Sequence, residues 1–407
     1  MDLVTLAEIE AARDLLEGVI RRTPLEPCKP LTGKLSGPAW LKCENLQRAG
    51  SYKIRGAYVR IARLSSQERA RGVVAASAGN HAQGVALAAR LLGTSATVFM
   101  PVGAPLPKVA ATKGDGARVE LVGANVDESL AAAQEFAERT GAVFIHPFDH
   151  PDVIAGQGTV ALEILEQCPE VRTIITGVGG GGLISGIAVA TKALRPDIQV
   201  IGVQAAGAAA FPPSLRAGRP ERLKSYRTIA DGIAVGCPGD LTYEHVSKLV
   251  DGVVTVTDED ISRALLMLLE RGKLVAEPAG SVGVAALLAG VVQPEPPVVV
   301  VLTGGNIDPL LLLRVIEHGL AAAGRYLSFT VRCNDRPGQL AGLLTLIGEH
   351  GANVLDVEHK RHDPRLRLGE VEVALSVETR GAEHSDRLLQ ALRAAGYETV
   401  SPRTGRT

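Results

Sequence analysis

The sequence predicts an α/β protein with parallel sheets, followed by a smaller domain of a different pattern. Over residues 72–302, short apolar runs rich in β-branched residues alternate with Ala- and Leu-rich stretches of helical periodicity. Strands that are apolar throughout and separated by helices are typical of parallel sheets covered on both faces. Beyond residue 324 the strands alternate apolar and polar residues, which indicates a sheet buried on one face.

The parallel part begins with a helix and has further helices between its strands. Apolar helical spacing over residues 7–20, with an acidic first turn, predicts the first helix, and a similar pattern predicts another near 127–139. The expected strands, in chain order, are 72–76, 96–100, 118–122, 143–145, 173–175, 200–203, 252–256 and 298–302.

The C-terminal part predicts a ferredoxin-like module. Its expected elements are a strand at 328–333, a helix with Leu340, Leu343, Leu344 and Ile347 on one face, strands at 353–357 and 370–378, a helix through 388–392 and a short strand from Tyr397. The order βαββαβ defines that fold. The module has no cluster of catalytic residue types, so we expect it to bind a ligand or to regulate.

Composition narrows the class of protein. A chain of 407 residues, 46% of them apolar, can bury the cores of two or three domains. A net charge of -1 and an aromatic content of 3% argue against a surface for nucleic acid or an anionic membrane. Five scattered cysteines without C-x-x-C spacing, and an N-terminus without a basic signal region, predict a cytoplasmic protein with reduced thiols and no metal site.

Lys53 is the first candidate catalytic residue. It lies in the run 50–57, between Arg48 and Arg55 and ahead of an apolar helical stretch. Neighbouring cations lower the pKa of an ammonium group and leave more free amine to attack a carbonyl. A single lysine in such a run is more often structural, so its interpretation depends on the runs that follow.

Residues 77–84 follow a predicted strand and precede a helix. Small hydroxyl and amide side chains at a helix N-terminus favour an anion such as a carboxylate. The alternative is an ordinary turn capped by Ser77 or Asn80. His81 alone is weak evidence, because a single histidine is usually structural.

Residues 177–183 place four consecutive glycines between a predicted strand and a helix. Such a run costs backbone entropy, and its usual reason is a phosphate bound by several backbone N–H groups. A dinucleotide fingerprint needs an acid after the next strand, where this chain has Gln204, and the lysine of a P-loop is missing. A single phosphate is the better fit.

Thr303 ends the most apolar strand and is followed by two glycines. Ligands of open α/β sheets bind at the carboxyl ends of strands, where this hydroxyl could bond to a ring nitrogen. The alternative is a plain tight turn.

Together, five runs in this order resemble the threonine dehydratases, or threonine ammonia-lyases. These are carbon–nitrogen lyases of the fold type II group of pyridoxal phosphate enzymes, whose fold is like that of tryptophan synthase β. The runs are Ser-Tyr-Lys-Ile-Arg-Gly-Ala (51–57), Ser-Ala-Gly-Asn-His-Ala-Gln-Gly (77–84), Gly-Gly-Gly-Gly-Leu (179–183), Ile-Ala-Asp-Gly-Ile-Ala-Val (229–235) and Thr-Gly-Gly-Asn-Ile-Asp (303–308). The tail, with the runs 335–340 and 351–354, resembles a single ACT regulatory domain.

The resemblance implies a role for each motif. Lys53 is expected to hold the cofactor covalently and to move the α-proton. The expected cofactor contacts are Tyr52 against the ring, Asn80 at the ring hydroxyl, Gly179, Gly180, Gly181, Gly182 and Leu183 at the phosphate, and Thr303 at the ring nitrogen. The substrate carboxylate is expected at Ser77, Asn80 and His81.

The resemblance also implies a reaction and its regulation. Threonine would give 2-oxobutanoate and ammonia, the first step of isoleucine biosynthesis, and serine would give pyruvate. An amino-acid effector, isoleucine with valine opposing it, is expected at the ACT residues Asp335, Gly338, Leu340 and Asn353, for which capping and turn formation is the alternative. Relatives are commonly homodimers or homotetramers.

Three lobes or domains are expected. The large lobe would combine residues 1–48 and 149–322, a small mobile lobe would span 49–148, and the ACT domain would span 326–407. Closure of the small lobe over the substrate would exclude water.

Three other readings stay open. Serine racemase has a second serine where this chain has Ala78, and acidic cation ligands where it has the run 204–210. A β-replacement enzyme such as cysteine synthase would have a Thr-Ser-Gly-Asn-Thr pattern around Ser77. A non-enzymatic amino-acid sensor would require that Lys53 forms no bond to the cofactor.

Overall fold

A computed structural model describes residues 2–322, 324–361 and 366–400. The chain divides into two compact units, of which the first ends at Asp308 and the second begins at Pro309. Among the described residues, every helix is too short or too polar to cross a membrane.

The first unit alternates helices and strands along most of its length. Its helices are α1 (Leu6–Leu16), α2 (Lys29–Leu35), α3 (Lys53–Ala62), α4 (Ser66–Arg71), α5 (Asn80–Leu91), α6 (Leu106–Gly114), α7 (Val126–Thr140), α8 (Pro151–Gln167), α9 (Gly182–Leu194), α10 (Phe211–Ala217), α11 (Asp240–Leu249), α12 (Asp258–Met267) and α13 (Pro278–Ala289). Its strands are β1 (Leu25–Pro27), β2 (Ala39–Lys42), β3 (Val73–Ala76), β4 (Ala96–Met100), β5 (Arg118–Leu121), β6 (Val143–Phe144), β7 (Thr173–Gly177), β8 (Gln199–Ala205), β9 (Gly252–Val256) and β10 (Val298–Val301).

The larger sheet of this unit has six strands in the order β1-β2-β10-β7-β8-β9. All neighbours are parallel except β1, which runs antiparallel to β2 at the edge. The four valines of β10 are buried, as expected for a strand covered by helices on both faces. Helices α8 and α9 carry buried apolar residues along most of their length and supply much of the core on this sheet.

The smaller sheet is wholly parallel, with the order β5-β4-β3-β6. All its strands come from residues 73–144, whereas the larger sheet takes its strands from 25–42 and 173–301. A separate apolar core that includes Ile54, Val85 and Met100 joins helices α3 and α5 to this sheet. The parallel α/β fold is confirmed, and the lobe limits at 48/49 and 148/149 stay a prediction.

The second unit contains the predicted βαββαβ module. Its elements are α14 (Pro309–Ala322), β11 (Tyr326–Asn334), α15 (Gln339–Glu349), β12 (Asn353–Lys360), β13 (Glu370–Glu378), α16 (Ala382–Ala394) and β14 (Glu398–Val400). The sheet is antiparallel, in the order β12-β13-β11-β14. Alternate residues of β13 are buried against α15 and α16, which confirms the one-sided pattern. Residues 362–365 and 401–407 of the predicted ACT domain lie outside the described residues.

A buried group of charges links β2, α3 and α8 in the first unit. The Arg55 guanidinium donates two 2.8 Å bonds to the Glu44 carboxylate and lies 2.7 Å from Glu163. The Lys42 ammonium lies 2.5 Å from the other oxygen of Glu163. The side chains of Lys42, Glu44 and Arg55 are fully buried, so the two positive and two negative charges compensate each other away from water.

We expect Glu44→Gln to lower the free energy of unfolding by about 3 kcal/mol, because it leaves a buried positive charge uncompensated. Urea unfolding followed by circular dichroism measures this change. Glu221→Gln is the matched control, since Glu221 pairs with Arg219 at the surface. It should leave the stability almost unchanged. Equal effects of the two substitutions would contradict the assigned importance of the buried charges.

Candidate active site

A cavity of about 810 Å³ in the first unit brings the predicted motifs together. It lies where strands β3, β7 and β10 end, the place where open α/β sheets bind ligands. The predicted site residues that line it are Tyr52, Lys53, Ser77, Asn80, His81, Gly179, Gly180, Gly181, Gly182, Leu183 and Thr303.

Lys53 is the first residue of α3, and its amine lies within this cavity. The Nζ atom donates a 2.8 Å hydrogen bond to the carbonyl oxygen of Pro147 and lies 5.3 Å from the centre of the Tyr52 ring. Removal from water lowers the pKa of Lys53 to about 8, although the negative charge of Glu277 opposes the shift. About a tenth of the amine is therefore free at pH 7, far more than for a lysine in water.

The lowered pKa was predicted, but its predicted cause is wrong. The guanidinium of Arg55 points to Glu44 and Glu163, so its charge is compensated before it can act on Lys53. Burial supplies the shift instead. Lys53 and Arg55 are close in sequence, but in the fold their side chains point to different partners.

Asn80 begins α5 and is held by two residues from distant parts of the chain. Its Nδ2 donates a 2.5 Å bond to the Glu277 carboxylate, and its Oδ1 accepts a 2.8 Å bond from Asn306. Ser77 lies just before the helix, where its hydroxyl accepts a 3.2 Å bond from the Gly79 N–H. The start of this helix therefore faces the cavity with a fixed amide side chain.

His81 is 5% exposed and its ring Nε2 lies 2.8 Å from the carbonyl oxygen of Ile145. A carbonyl only accepts, so Nε2 carries the proton and donates it. Burial lowers the pKa of His81 to about 3, and the imidazole is neutral near pH 7. The side chain that was predicted to meet the substrate carboxylate is thus already bonded to the backbone.

The glycine run forms the loop between β7 and α9. A Cβ on Gly180 would lie 2.4 Å from the ring of Phe148, and Gly181 has a φ of +101°, so neither position accepts a side chain without strain. Within the described residues, no protein acceptor pairs with the backbone N–H groups of Gly179, Gly180 or Gly181. A loop with unpaired N–H groups at the N-terminus of α9 fits a phosphate.

Thr303 is 4% exposed at the end of β10. Its hydroxyl is 3.5 Å from the carbonyl oxygen of Ala279, a long contact that leaves it able to bond to a ligand. Its own carbonyl oxygen accepts a 3.2 Å bond from the N–H of Tyr52. The strand-end hydroxyl and the segment that carries Lys53 are therefore joined directly.

Glu277 is a cavity residue that sequence reasoning missed. It is 3% exposed, and burial together with the charge of Asp231 raises its pKa to about 7. The available signal was an acid directly before Pro278 at the start of an apolar helix. Two other missed residues, Lys108 and Asp231, line the cavity and form an ion pair between α6 and the turn Asp231–Ile233.

The predicted effector residues are not all brought together in the second unit. Asp335 and Gly338 both lie in the segment between β11 and α15, and Leu340 packs from that helix against the core. Asn353 pairs with Glu378, at the far end of β13 from the pairing of Asn334 with Glu370. Eight residues of strand, roughly 27 Å, separate the two ends.

Comparison with known proteins agrees with this geometry. The profile of the pyridoxal-phosphate dependent enzyme family matches residues 16–304, and that of the ACT domain matches residues 327–396. The chain therefore belongs to the family of pyridoxal-phosphate dependent enzymes and carries an ACT domain. Pyridoxal phosphate is its cofactor, and the glycine loop, the amine of Lys53 and the hydroxyl of Thr303 fit that group.

Individual relatives give more detail than the family match. The chain is 49% identical to an L-threonine ammonia-lyase of Thermotoga maritima, over 97% of this chain and 99% of the relative. It is 47% identical to an L-threonine ammonia-lyase of Geobacter sulfurreducens, over 96% and 97%. Among solved structures, threonine deaminase isoform 2 of Solanum lycopersicum has a TM-score of 0.73 at 37% identity, covering 77% of this chain and 86% of that one. Maize serine racemase has a TM-score of 0.74 at 37% identity, covering 79% and 99%.

His81 makes stability depend on pH. In the unfolded chain the imidazole takes up a proton near pH 6.5, but in the folded protein only near pH 3, so acid favours unfolding between these values. We expect His81→Gln to reduce the fall in the free energy of unfolding from pH 6.5 to pH 4, by up to about 1.4 kcal/mol per pH unit. Urea unfolding at several pH values measures it, with the exposed His318→Gln as control. Parallel curves for His81→Gln and the unmodified protein would contradict the assignment.

Proposed function

We propose that this protein is an L-threonine ammonia-lyase, which converts L-threonine to 2-oxobutanoate and ammonia and also L-serine to pyruvate. The observation that carries the proposal is the single cavity that holds the amine of Lys53, the unpaired N–H groups of the glycine loop and the hydroxyl of Thr303. The near full-length similarity to two L-threonine ammonia-lyases supports the choice of substrate.

Pyridoxal phosphate, when bound, withdraws electrons from the α-carbon of an amino acid joined to it. Lys53 is the residue that would hold its aldehyde carbon, and the backbone of Gly179 to Leu183 would hold its phosphate. Asn80 would meet the ring hydroxyl, Tyr52 would pack on the ring, and Thr303 would meet the ring nitrogen. A neutral hydroxyl at Thr303 would stabilise a protonated ring nitrogen less than a carboxylate would, so the bound ring would withdraw electrons less strongly.

Lys53 is also the base that would take the proton from the α-carbon. Its pKa of about 8 suits this role, because proton transfer is most efficient when the pKa lies near the working pH. Ser77, Asn80 and the backbone N–H groups at the start of α5 would bind the substrate carboxylate. His81 would contribute its backbone N–H, since its ring is bonded to Ile145.

The proton-transfer groups around the α-carbon favour elimination over racemisation. Racemisation needs a second acid–base group on the opposite face, and the cavity has the methyl group of Ala78 where serine racemases have serine. The segment 204–210 carries no acid, and the amide of Gln204 bonds to Val178 and Phe211. These features weigh against racemase activity, despite the similarity to maize serine racemase.

The ACT domain implies that an amino acid regulates the enzyme, and we propose isoleucine, with valine opposing it, as in the first step of isoleucine biosynthesis. Asp335, Gly338 and Leu340 lie at one end of the sheet and Asn353 at the other, so a site made from both ends needs two copies of the chain. That arrangement supports a homodimer or homotetramer. Ammonia release from threonine, measured with each branched amino acid, should fall with isoleucine; no response to any of them would refute regulation.

All five cysteines are free, which supports a reducing compartment such as the cytoplasm.

Replacement of Lys53 with Ala should abolish both the covalent cofactor link and catalysis. The purified protein should show the visible absorbance band of lysine-bound pyridoxal phosphate, and Lys53→Ala should lack it. Ammonia release from threonine should fall at least about 10³-fold, because the covalent anchor and the base are lost together. A wild-type protein with neither the band nor ammonia release would favour the amino-acid sensor instead.

Replacement of Ala78 with Ser tests the assignment of elimination. The new hydroxyl would stand on the face opposite Lys53 and could return a proton there, so D-serine should form from L-serine in the variant. Chiral chromatography of the products measures it, and Ala78→Gly, which adds no proton donor, is the control. Abundant D-serine from the unmodified protein would contradict the proposal.

A further inference from the structure

The glycine loop accepts a hydrogen bond from a side chain that does not line the cavity. Thr242 belongs to α11 and is completely buried. Its hydroxyl donates a 2.6 Å hydrogen bond to the carbonyl oxygen of Gly180 and lies 3.2 Å from that of Gly239. The short bond to Gly180 connects a helix with no part in the predicted motifs to the loop that faces the cavity.

This bond determines the direction of a backbone donor. In a trans peptide, the C=O of one residue and the N–H of the next point in opposite directions. Because the Gly180 carbonyl is bound to Thr242, the N–H of Gly181 points away from α11. Both glycines line the cavity, so that N–H is directed to the cavity side of the loop.

A second set of contacts connects Thr242 to the turn before α8. The Asp149 carboxylate accepts a 3.0 Å bond from the backbone N–H of Thr242, and the N–H of Asp149 donates a 2.7 Å bond to Nδ1 of His146. Within the same turn, the ring of Phe148 lies under Gly180, and the carbonyl of Pro147 accepts the bond from Lys53. The turn 146–149 therefore contacts both the lysine amine and the glycine loop.

Pyridoxal phosphate needs a fixed distance between the amine of Lys53 and the glycine loop, since its aldehyde and phosphate are carried on one rigid ring. A site that is preorganised for both groups binds the cofactor without the cost of ordering the loop. The turn 146–149 and Thr242 supply the rigid connection.

We propose that Thr242 is a positioning residue for the cofactor phosphate, acting through the Gly180 carbonyl and supported by Asp149. The proposal rests on the proposed role of the glycine loop as the phosphate site. It predicts that loss of the Thr242 hydroxyl weakens binding of the phosphate while the reaction of Lys53 with the aldehyde is unaffected.

The test compares two ligands on the full-length protein freed of cofactor. Pyridoxal phosphate and pyridoxal, which lacks the phosphate, are titrated in phosphate-free buffer, and the visible absorbance of the lysine-bound ligand is recorded. Thr242→Val should weaken binding of pyridoxal phosphate about tenfold, the effect of one lost hydrogen bond. It should leave binding of pyridoxal unchanged, and Thr242→Ser, which keeps the hydroxyl, should restore the affinity.

Thr173→Val is the matched control, since this buried threonine at the other end of β7 donates a 2.9 Å bond to the Glu295 carbonyl. It should not change the affinity for either ligand. If Thr242→Val does not fold, Thr242→Cys, a poorer donor, replaces it. An unchanged affinity for pyridoxal phosphate, or an equal loss for both ligands, would overturn the proposal. Failure of the wild-type protein to bind either ligand would instead overturn the proposed function.

Discussion

The buried charges of Lys42, Glu44, Arg55 and Glu163 fix the position of Lys53. Arg55 stands two residues after the lysine, and its bonds to two carboxylates hold the first turn of α3 against α8 and the turn that follows β2. If one of these four side chains moved, its charge would lose its oppositely charged partner and would still be shielded from water. Such an uncompensated buried charge costs free energy. The helical turn that carries Lys53 is therefore held in place. The shape of the cavity depends on the position of the Lys53 amine.

The local patterns of the chain predicted much of the fold and the main chemical groups of the site. Apolar strands and small residues at strand ends follow from short stretches of sequence, and the carboxyl ends of parallel strands meet at one edge. Contacts between distant residues were not predictable. Glu277 meets Asn80 across 197 positions of sequence, and Thr242 meets Gly180 across 62. The effect of Arg55 on the pKa of Lys53 was also misjudged, because spacing along the chain does not show which way a side chain turns.

The hydrogen bonds of Asn80 show how the cavity is kept in one arrangement. Glu277 accepts from one end of its amide and Asn306 donates to the other, so the side chain cannot rotate without breaking a bond. Asn306 also donates to the carbonyl of Ala49, just before the segment of Lys53. Asn80 and Asn306, from two separate motifs, thus share one network with Glu277 and the backbone of Ala49, and each constrains the others.

The glycine loop restricts how this cavity can evolve. A side chain at Gly180 would strike the ring of Phe148, at Gly181 it would strike Phe211 and Thr242, and at Gly182 it would strike the backbone of Phe148. Each glycine is blocked by a different set of atoms, so no single compensating change elsewhere can free the loop. Selection can diversify the chemistry of such a site only at positions with space around them. The anion-binding backbone of the glycine loop then stays the same during evolution, while the proton-transfer groups around it change.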